Sequence, residues 1–286
     1  SGGAHVVQIL NILEHHPIGY LGHNSAATIH LMAEAMKRAY ADRSQYLGDT
    51  DFVQVPLQGI TSKAYASELA KQIDPYQVTP ATAIRPGNPL PYESDETTHF
   101  SVADKFGNMV SNTYTINFSY GSHIVVDGAG FLLNNEMDDF SAKPGVPNAY
   151  GLLGGEANNI EPGKRMLSSM SPTVVKKDGK NFLVTGSPGG SRIITTTLQV
   201  IMNVIDHRLN VQAAVNAPRI HHQWLPDEIR IEEGISPDTR AILARMGHRV
   251  VKKSAMGAIQ SIMIGGDGLF YGGADPRRST SSAMGY

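Results

Sequence analysis

The spacing of apolar residues changes at one point in this chain, and this change constrains the fold more than any other feature. Before segment 93–101, apolar side chains recur every three or four residues, which is the period of an amphipathic helix. After it, short alternating runs flank Asp-Gly and glycine-rich turns, which indicates β-hairpins. The sequence therefore predicts an α+β class with segregated helices and strands.

Upstream of the change, three helices are expected, followed by a proline-rich segment that reads as an exposed linker where a chain tolerates cleavage. Downstream, three hairpin turns and three further helices are expected. The upstream helices are predicted at 4–15, 25–46 and 62–73, and the linker at 74–92. The downstream turns are predicted at 104–108, 177–180 and 265–268, with a strand over 109–115 after the first turn, and the helices at about 190–206, 211–216 and 236–246.

Composition excludes several classes of function. The net charge is −2 over 286 residues, and no cluster of Lys and Arg exceeds a pair, so a nucleic-acid or membrane-surface role has no electrostatic basis. The chain has no cysteine, which excludes disulfides, thiolate metal sites and a cysteine nucleophile. No apolar run reaches the roughly 18 residues of a membrane span. The first residue is Ser1 rather than Met, and we expect the natural N-terminus to lie further upstream.

The segment at the change contains two adjacent threonines, Thr97 and Thr98. If the chain is cut before Thr97, this residue carries both a hydroxyl nucleophile and a free amine. An α-amine has a pKa of roughly 7.7–8.0, so it can accept the hydroxyl proton near neutral pH. The alternative is that both threonines are ordinary β-branched strand residues.

A glycine-rich loop at 186–192 lies between a predicted strand and a predicted helix. Backbone N–H groups at a helix N-terminus lack intrahelical acceptors and can bind a phosphate or a tetrahedral oxyanion. No Gly-Lys-Ser/Thr motif follows, so the P-loop interpretation is weak. A tight turn with close backbone packing is the alternative.

Two polar segments complete the candidate chemistry. Segment 134–140 groups amides and carboxylates, which could hold a substrate ammonium or a hard cation, or form a solvated acidic loop. Segment 167–172 places hydroxyls before a strand. The pair His221–His222 does not predict a metal site, because adjacent histidines on a strand point to opposite faces.

In this order, the motifs resemble gamma-glutamyltransferases of the bacterial type, which are N-terminal nucleophile hydrolases. The matching stretches are 97–101, 113–117, 133–140, 168–172 and 186–192. The resemblance extends to Tyr40-Ala41-Asp42-Arg43 and to 222–226, outside the expected site. It implies a four-layer αββα sandwich made as a precursor that cuts itself between Glu96 and Thr97. Residues 1–96 would then be the C-terminal part of a large subunit, and 97–286 the whole small catalytic subunit.

The resemblance also implies the reaction. Thr97 would take the gamma-glutamyl group from glutathione or a related amide and pass it to water or to an amino acid or peptide acceptor, without a cofactor or metal. Thr115 would hydrogen-bond Thr97, and the N–H groups of Gly189 and Gly190 would form the oxyanion hole. The remaining roles concern the substrate: the α-ammonium would be held by Asn117, Glu136 and Asp139, the α-carboxylate by Ser168 and Ser169, and the lid would carry Tyr150.

The family's carboxylate-binding arginine comes from upstream of the present chain, so Ser168 and Ser169 are expected to lack a neighbouring positive charge here. The family also implies a periplasmic or secreted location. Three alternatives stay open. The first is an acylase for glutaryl or cephalosporin side chains or a poly-gamma-glutamate processing enzyme of the same fold. The second is a catalytically inactive, truncated fragment that only binds glutamyl ligands or a partner chain, and the third is a phosphate-binding protein that uses 187–192.

Overall fold

The computed structural model describes residues 2–89 and 102–285. The predicted cleavage site, Glu96 and Thr97, lies outside the described residues. Within them, the α-helices are α1 Gly2–Leu13, α2 Ile18–Leu21, α3 Ala26–Tyr46, α4 Leu57–Thr61, α5 Lys63–Ala70, α6 Ile193–Ile205, α7 Val211–Asn216 and α8 Pro237–Arg245. The predicted helices are therefore confirmed, with bounds that differ by a few residues.

The longest helix, α3, begins where the sequence provides a cap. The Ser25 side chain accepts a hydrogen bond from the Thr28 backbone N–H at 3.1 Å, which satisfies one of the free donors of the first turn. Helix α3 packs against α1, α5 and α8, and Ile29 and Met36 on it are fully buried. Burial of such a side chain contributes about 1.5–3 kcal/mol, so packing rather than helix propensity holds α3 in place.

Nine strands form three sheets in the described residues. The strands are β1 Val102–Ala103, β2 Met109–Val110, β3 Thr173–Lys177, β4 Lys180–Gly186, β5 Ile220–His221, β6 Ile229–Ile231, β7 Val250–Lys252, β8 Gln260–Ile264 and β9 Phe270–Ala274. The largest sheet has the order β3-β4-β8-β9 with antiparallel neighbours, and helices α6 and α7 pack against it. A second sheet pairs β5 with β6 antiparallel and β6 with β7 parallel. Helices and mainly antiparallel strands in separate groups confirm the α+β class.

The three predicted hairpins are present as β1-β2, β3-β4 and β8-β9. In the second, Asp178 and Gly179 have φ angles of 53° and 76°, as a type I′ turn requires. The first hairpin is shorter than expected. The sequence predicts a strand over 109–115, but only Met109–Val110 pairs with β1. Alternating side chains indicate a strand but do not supply its partner, so the prediction for 111–115 is wrong.

Residues 74–89 have no regular secondary structure and are largely exposed, as predicted for a linker. They are nevertheless fastened to the protein. Ala81 is fully buried, its N–H donates to Asp227 Oδ2 at 2.8 Å, and its carbonyl accepts from Trp224 Nε1 at 2.9 Å. The segment therefore has a defined path across the surface. None of the described helices has both the length and the apolar character needed to cross a membrane.

Candidate active site

Loops from four parts of the downstream region surround one cleft. One loop follows β2, a second runs from Asp139 to Tyr150, a third precedes β3, and the fourth joins β4 to α6. Glu136 does not line the cleft and is buried beside it, while Thr97 and Glu96 lie outside the described residues. The predicted site residues that line the cleft are Thr115, Asn117, Asp139, Tyr150, Ser168, Ser169, Gly189 and Gly190.

The glycine turn between β4 and α6 adopts a backbone conformation that favours glycine. Gly189 and Gly190 have φ angles of 143° and 59°, a region that other residues rarely enter. A Cβ atom on Gly190 would lie 2.3 Å from Cε1 of Tyr150. Residues Gly190–Arg192 form a 3-10 turn that leads into α6. At the start of a helical segment, neither glycine N–H has an acceptor within the helix, so both can serve as oxyanion donors.

Thr115 is oriented by its neighbour. The Asn117 backbone N–H donates to Thr115 Oγ1 at 2.7 Å. Because this oxygen acts as an acceptor, the hydroxyl proton of Thr115 is available to another group. Asn117 has a φ angle of 72°, and its side chain donates to the carbonyl of Asn135 at 3.0 Å. These bonds fasten the loop after β2 to residues 134–140, the acidic segment.

The acidic segment contains two carboxylates whose environment disfavours their charge. Burial raises the pKa of Asp139 to about 6, and the nearby charges of Glu136 and Asp138 add to the shift while Arg43 opposes it. Burial also raises the pKa of Glu136. The Oε1 atom of Glu136 has no hydrogen-bond partner among the described residues. Two desolvated acids in need of a positive partner suit a ligand that carries an ammonium group.

The serine pair, Ser168 and Ser169, precedes β3, and Ser169 is hydrogen-bonded by a residue of α3. Ser169 Oγ accepts a hydrogen bond from Arg43 Nη2 at 3.0 Å. Ser168 Oγ accepts one from the Met170 N–H at 3.1 Å. The expectation that the pair has no positive charge nearby is therefore wrong for Ser169. Arg43 lies 126 positions earlier in the chain, so this proximity arises only from the tertiary fold.

Tyr150 closes part of the cleft. Its hydroxyl donates to the Asn117 carbonyl at 3.3 Å. Its ring packs edge-on against that of Phe118, with 5.3 Å between the ring centroids. Gln223 Nε2 donates to the carbonyl of Gly151 at 2.9 Å, which secures the turn that carries the tyrosine. Burial and the surrounding carboxylates raise the pKa of Tyr150 to about 12, so it remains a neutral hydrogen-bond donor at physiological pH.

Two residues that support the cleft were not predicted from the sequence. Tyr40 on α3 donates to the Ser191 carbonyl at 2.5 Å, next to the glycine pair. Arg43, also on α3, donates to Ser169. The sequence signal that could have identified them is their polarity on an otherwise apolar, buried helix, because a buried Tyr or Arg needs a specific partner.

The adjacent histidines are held by protein groups. His221 Nδ1 lies 2.8 Å from Thr195 Oγ1, and its Nε2 lies 2.8 Å from Gln223 Oε1. His222 Nε2 lies 3.2 Å from Asp227 Oδ1. Burial lowers the pKa of both rings, to about 3 for His221. They form neutral core hydrogen bonds.

A different group has the composition of a metal site. One ligand atom from each of His30, Glu34 and His248 lies within 4.8 Å of the others. However, Glu34 pairs with Lys37 at 2.5 Å and with Arg38 at 2.7 Å. These two cations already compensate the carboxylate, so a divalent ion would add positive charge beside positive charge. Glu34 is accounted for by these two ion pairs within α3, and His30 Nδ1 lies 2.7 Å from His248 Nε2, so all three side chains have protein partners.

The fold and the cleft together define a class, the N-terminal nucleophile hydrolases. A cephalosporin acylase from Bacillus halodurans resembles this chain over its whole length with a TM-score of 0.83, at 27% identity and covering 50% of that chain. The sequence profile described as gamma-glutamyltranspeptidase matches residues 1–285. The chain belongs to the gamma-glutamyltranspeptidase family.

Individual relatives agree with this assignment. The chain is 60% identical to the glutathione hydrolase proenzyme of Escherichia coli strain K12, over all of this chain and 49% of that protein. It is 40% identical to the acylase ACY 1 proenzyme of Pseudomonas sp. strain SE83, over 96% of this chain and 46% of that protein. A mutant of Helicobacter pylori gamma-glutamyltranspeptidase shares 62% identity with a TM-score of 0.61, covering 64% of this chain and 100% of that one. The chain thus spans about half the length of the curated relatives it matches.

Proposed function

We propose that the complete protein is an autoprocessed gamma-glutamyltransferase that also hydrolyses glutathione. The observation that carries this proposal is the cleft itself, in which a glycine pair, a serine pair and a desolvated carboxylate meet. An acyl-transfer enzyme for a gamma-glutamyl group needs oxyanion donors, anion-binding hydroxyls and a cation-binding carboxylate in one place. The 60% identity to a glutathione hydrolase proenzyme supports the same assignment.

The protein would be made as a precursor that divides before Thr97. The Thr97 hydroxyl adds to the Glu96 carbonyl, the amide becomes an ester, and water hydrolyses the ester to release a Glu96 carboxylate and a free Thr97 amine. Residues 1–96 would end the large subunit, and residues 97–286 would form the small one. In support, the matched Helicobacter pylori chain is covered completely by 64% of this chain, and residues 97–286 are about two thirds of it.

The proposed reaction combines the groups of the cleft with Thr97, which lies outside the described residues. The Thr97 amine accepts the hydroxyl proton while Oγ bonds to the gamma carbonyl carbon, and the N–H groups of Gly189 and Gly190 stabilise the negative oxygen. The C–N bond then breaks, the leaving amine takes the proton, and a gamma-glutamyl ester remains on Thr97. Water or an acceptor amine attacks this ester, which restores the Thr97 hydroxyl. Thr115 hydrogen-bonds Thr97 and helps both cleavage and catalysis.

Recognition of the substrate would rest on its α-carbon substituents. Asn117 and Asp139, which line the cleft, and Glu136, whose carboxylate adds negative charge beside them, hold the α-ammonium. The serine pair Ser168–Ser169 holds the α-carboxylate. With these two charges fixed, the gamma carbonyl is the only one that reaches Thr97, and orientation of this kind lowers the barrier substantially. Tyr150 would act as part of a lid over the bound group. The substrate and the acceptor amino acid or peptide are then the small-molecule partners.

A second candidate is an acylase for glutaryl or cephalosporin side chains, or a poly-gamma-glutamate processing enzyme of the same fold. It is favoured by the 40% identity to the acylase ACY 1 proenzyme. A glutaryl group lacks the α-amine, so it would leave Glu136 and Asp139 without a positive partner. Comparing gamma-glutamyl with glutaryl anilides separates the two candidates, and a faster glutaryl reaction would favour the acylase.

Location is proposed from the family alone. We infer that the protein acts outside the cytoplasm, in the periplasm or as a secreted protein. Fractionation of cells that express the gene with its upstream region would test this, since activity confined to the cytoplasm would contradict it.

The processing step has the most direct test. Intact-mass measurement of the protein with its upstream region restored should give two fragments that meet at the Glu96–Thr97 bond. The Thr97→Ala variant should remain one uncut chain and lack activity on gamma-glutamyl anilides. An uncut wild type, or a cut Thr97→Ala variant, contradicts the mechanism.

A further inference from the structure

The guanidinium of Arg43 occupies an unusual environment for an arginine. It lies in the last turn of α3, and only 5% of the residue is exposed. Its Nη2 donates to Ser169 Oγ at 3.0 Å, but its Nε has no hydrogen-bond partner in the described part of the chain. Burying a charge carries a large desolvation cost, which burial of a neutral side chain at this position would avoid.

The hydrogen bond with Arg43 determines where the Ser169 proton can point. A guanidinium has donors only, whereas a serine hydroxyl has one donor and two acceptor lone pairs. Ser169 Oγ therefore accepts from Arg43, and its own O–H must be directed to a different group. Ser169 lines the cleft, so the hydroxyl proton is available to a bound anion. A charged donor on the same oxygen also polarises the O–H group.

We propose that Arg43 is a positioning residue that orients the Ser169 hydroxyl toward the substrate α-carboxylate and places a positive charge behind it. This inference rests on the proposed function and deepens it, because it assigns to α3 a part in carboxylate recognition. The arginine does not touch the substrate and acts through Ser169. It would complement any carboxylate-binding residue supplied from upstream of the present chain.

Three anilide substrates test this assignment in the complete, processed enzyme. The gamma-glutamyl anilide carries both α-substituents, the glutaryl anilide lacks the amine, and the 4-aminobutanoyl anilide lacks the carboxylate. Arg43→Met should lower kcat/KM for gamma-glutamyl anilide about tenfold to a hundredfold. The loss should appear mainly in KM, because the carboxylate is charged in the ground state and in the transition state alike. Because Arg43 also opposes the raised pKa of Asp139, the comparison is made well above pH 6, where Asp139 is ionised. There the 4-aminobutanoyl anilide should lose less than about twofold, since it offers no carboxylate to Ser169.

Two further variants separate positioning from general damage. In a double-mutant cycle, Arg43→Met added to Ser169→Ala should cost much less than Arg43→Met alone, because both changes remove the same interaction. Arg43→Lys should lose less than Arg43→Met. Arg38→Lys is the matched control, since Arg38 is also buried on α3 but pairs with Glu34, and it should affect all three anilides equally. Intact mass shows for each variant whether the precursor folded and was processed.

The outcomes are distinguishable. If Arg43→Met lowers all three anilides equally, or adds its full effect to Ser169→Ala, Arg43 is only structural and the inference is overturned. If the wild-type enzyme shows no reaction with gamma-glutamyl anilide, the proposed function itself fails. A variant that remains unprocessed is replaced by Arg43→Lys, for which the same selective loss is expected and an equal loss on all substrates overturns the proposal.

Discussion

The regions before and after the undescribed segment contribute to the site in different ways. Among the described residues, those that line the cleft all belong to the downstream region, and most of them lie on loops. The upstream region contributes buried side chains of α3, Tyr40 and Arg43, which donate hydrogen bonds to those loops. The difference shows a division between groups that can contact a ligand and groups that hold them in position. A loop can aim backbone N–H groups at a ligand, but it needs a rigid element to keep that geometry.

We expect the largest loss of activity from a change in the loop between β4 and α6. Gly190→Ala should lower kcat of the processed enzyme by about 10² to 10³. The added Cβ would collide with the Tyr150 ring and strain a backbone that has a φ angle of 59°. Both changes move an oxyanion donor. Steady-state kinetics with gamma-glutamyl anilide measure the loss.

Gly268→Ala is the matched control for this prediction. Gly268 also has a positive φ angle, 79°, but no atom lies within 4 Å of a Cβ placed there. It should leave kcat nearly unchanged. A Gly190→Ala enzyme of wild-type activity would show that this turn does not form the oxyanion hole.

The carboxylate in the cleft should have the next largest effect. Asp139→Asn should lower kcat/KM for gamma-glutamyl anilide about tenfold to a hundredfold, because a charge-assisted bond to the substrate ammonium is lost. The same variant should keep or increase the activity on glutaryl anilide, because this substrate has no ammonium group for Asp139 to bind. An equal loss on both substrates would contradict the assignment of Asp139 to ammonium recognition.

The pH dependence of the wild-type enzyme tests the same carboxylate, with Asp139→Asn as the control. The ionised form of Asp139 is the one that binds an ammonium, and its pKa is raised to about 6, so binding is lost as the pH falls through 6. The Thr97 amine, with a pKa of roughly 7.7–8.0, must also lose its proton. The logarithm of kcat/KM for gamma-glutamyl anilide should therefore rise with a slope of about one between pH 6 and 7 and about two below pH 6. A single slope in the wild type, or an unchanged profile in Asp139→Asn, would contradict this.

We expect the smallest loss of activity when the hydrogen bond from α3 beside the glycine pair is removed. Tyr40→Phe removes the donor to the Ser191 carbonyl and should lower kcat about twofold to tenfold, as expected for one neutral hydrogen bond. Tyr46→Phe is the control on the same helix, because Tyr46 donates to the Gly87 carbonyl at 2.6 Å, away from the cleft. If both variants behave alike, α3 does not support the glycine turn specifically.

Much of the fold follows from local sequence. The Asp178-Gly179 turn was predictable because the φ angles of a type I′ turn select these residue types. Helix α3 was predictable because its apolar period and its Ser25 cap are both local features. The strand predicted for 111–115 failed for the opposite reason, since a strand exists only with a partner and the pairing of β2 ends at Val110.

The candidate site, like the fold, was predictable from the sequence only in part. The sequence motifs named residues that the fold brings together, since eight of the predicted site residues line one cleft, while their roles stay predictions. They did not predict that Glu136 lies beside the cleft rather than in its lining. The pairing of Arg43 with Ser169 was not predictable either. Burial and distance depend on how segments far apart in the chain pack together, which no local motif encodes.

The sequence by itself determined the helix-to-hairpin change, the candidate nucleophile Thr97 and the family resemblance, because residue type and spacing carry these features. The tertiary structure alone decided that α3 stands behind the cleft, that the Asp139 carboxyl is desolvated, and that Tyr150 packs on Gly190. The physical reason is that electrostatics and steric fit act through space over a few ångströms, whereas sequence motifs record only order along the chain.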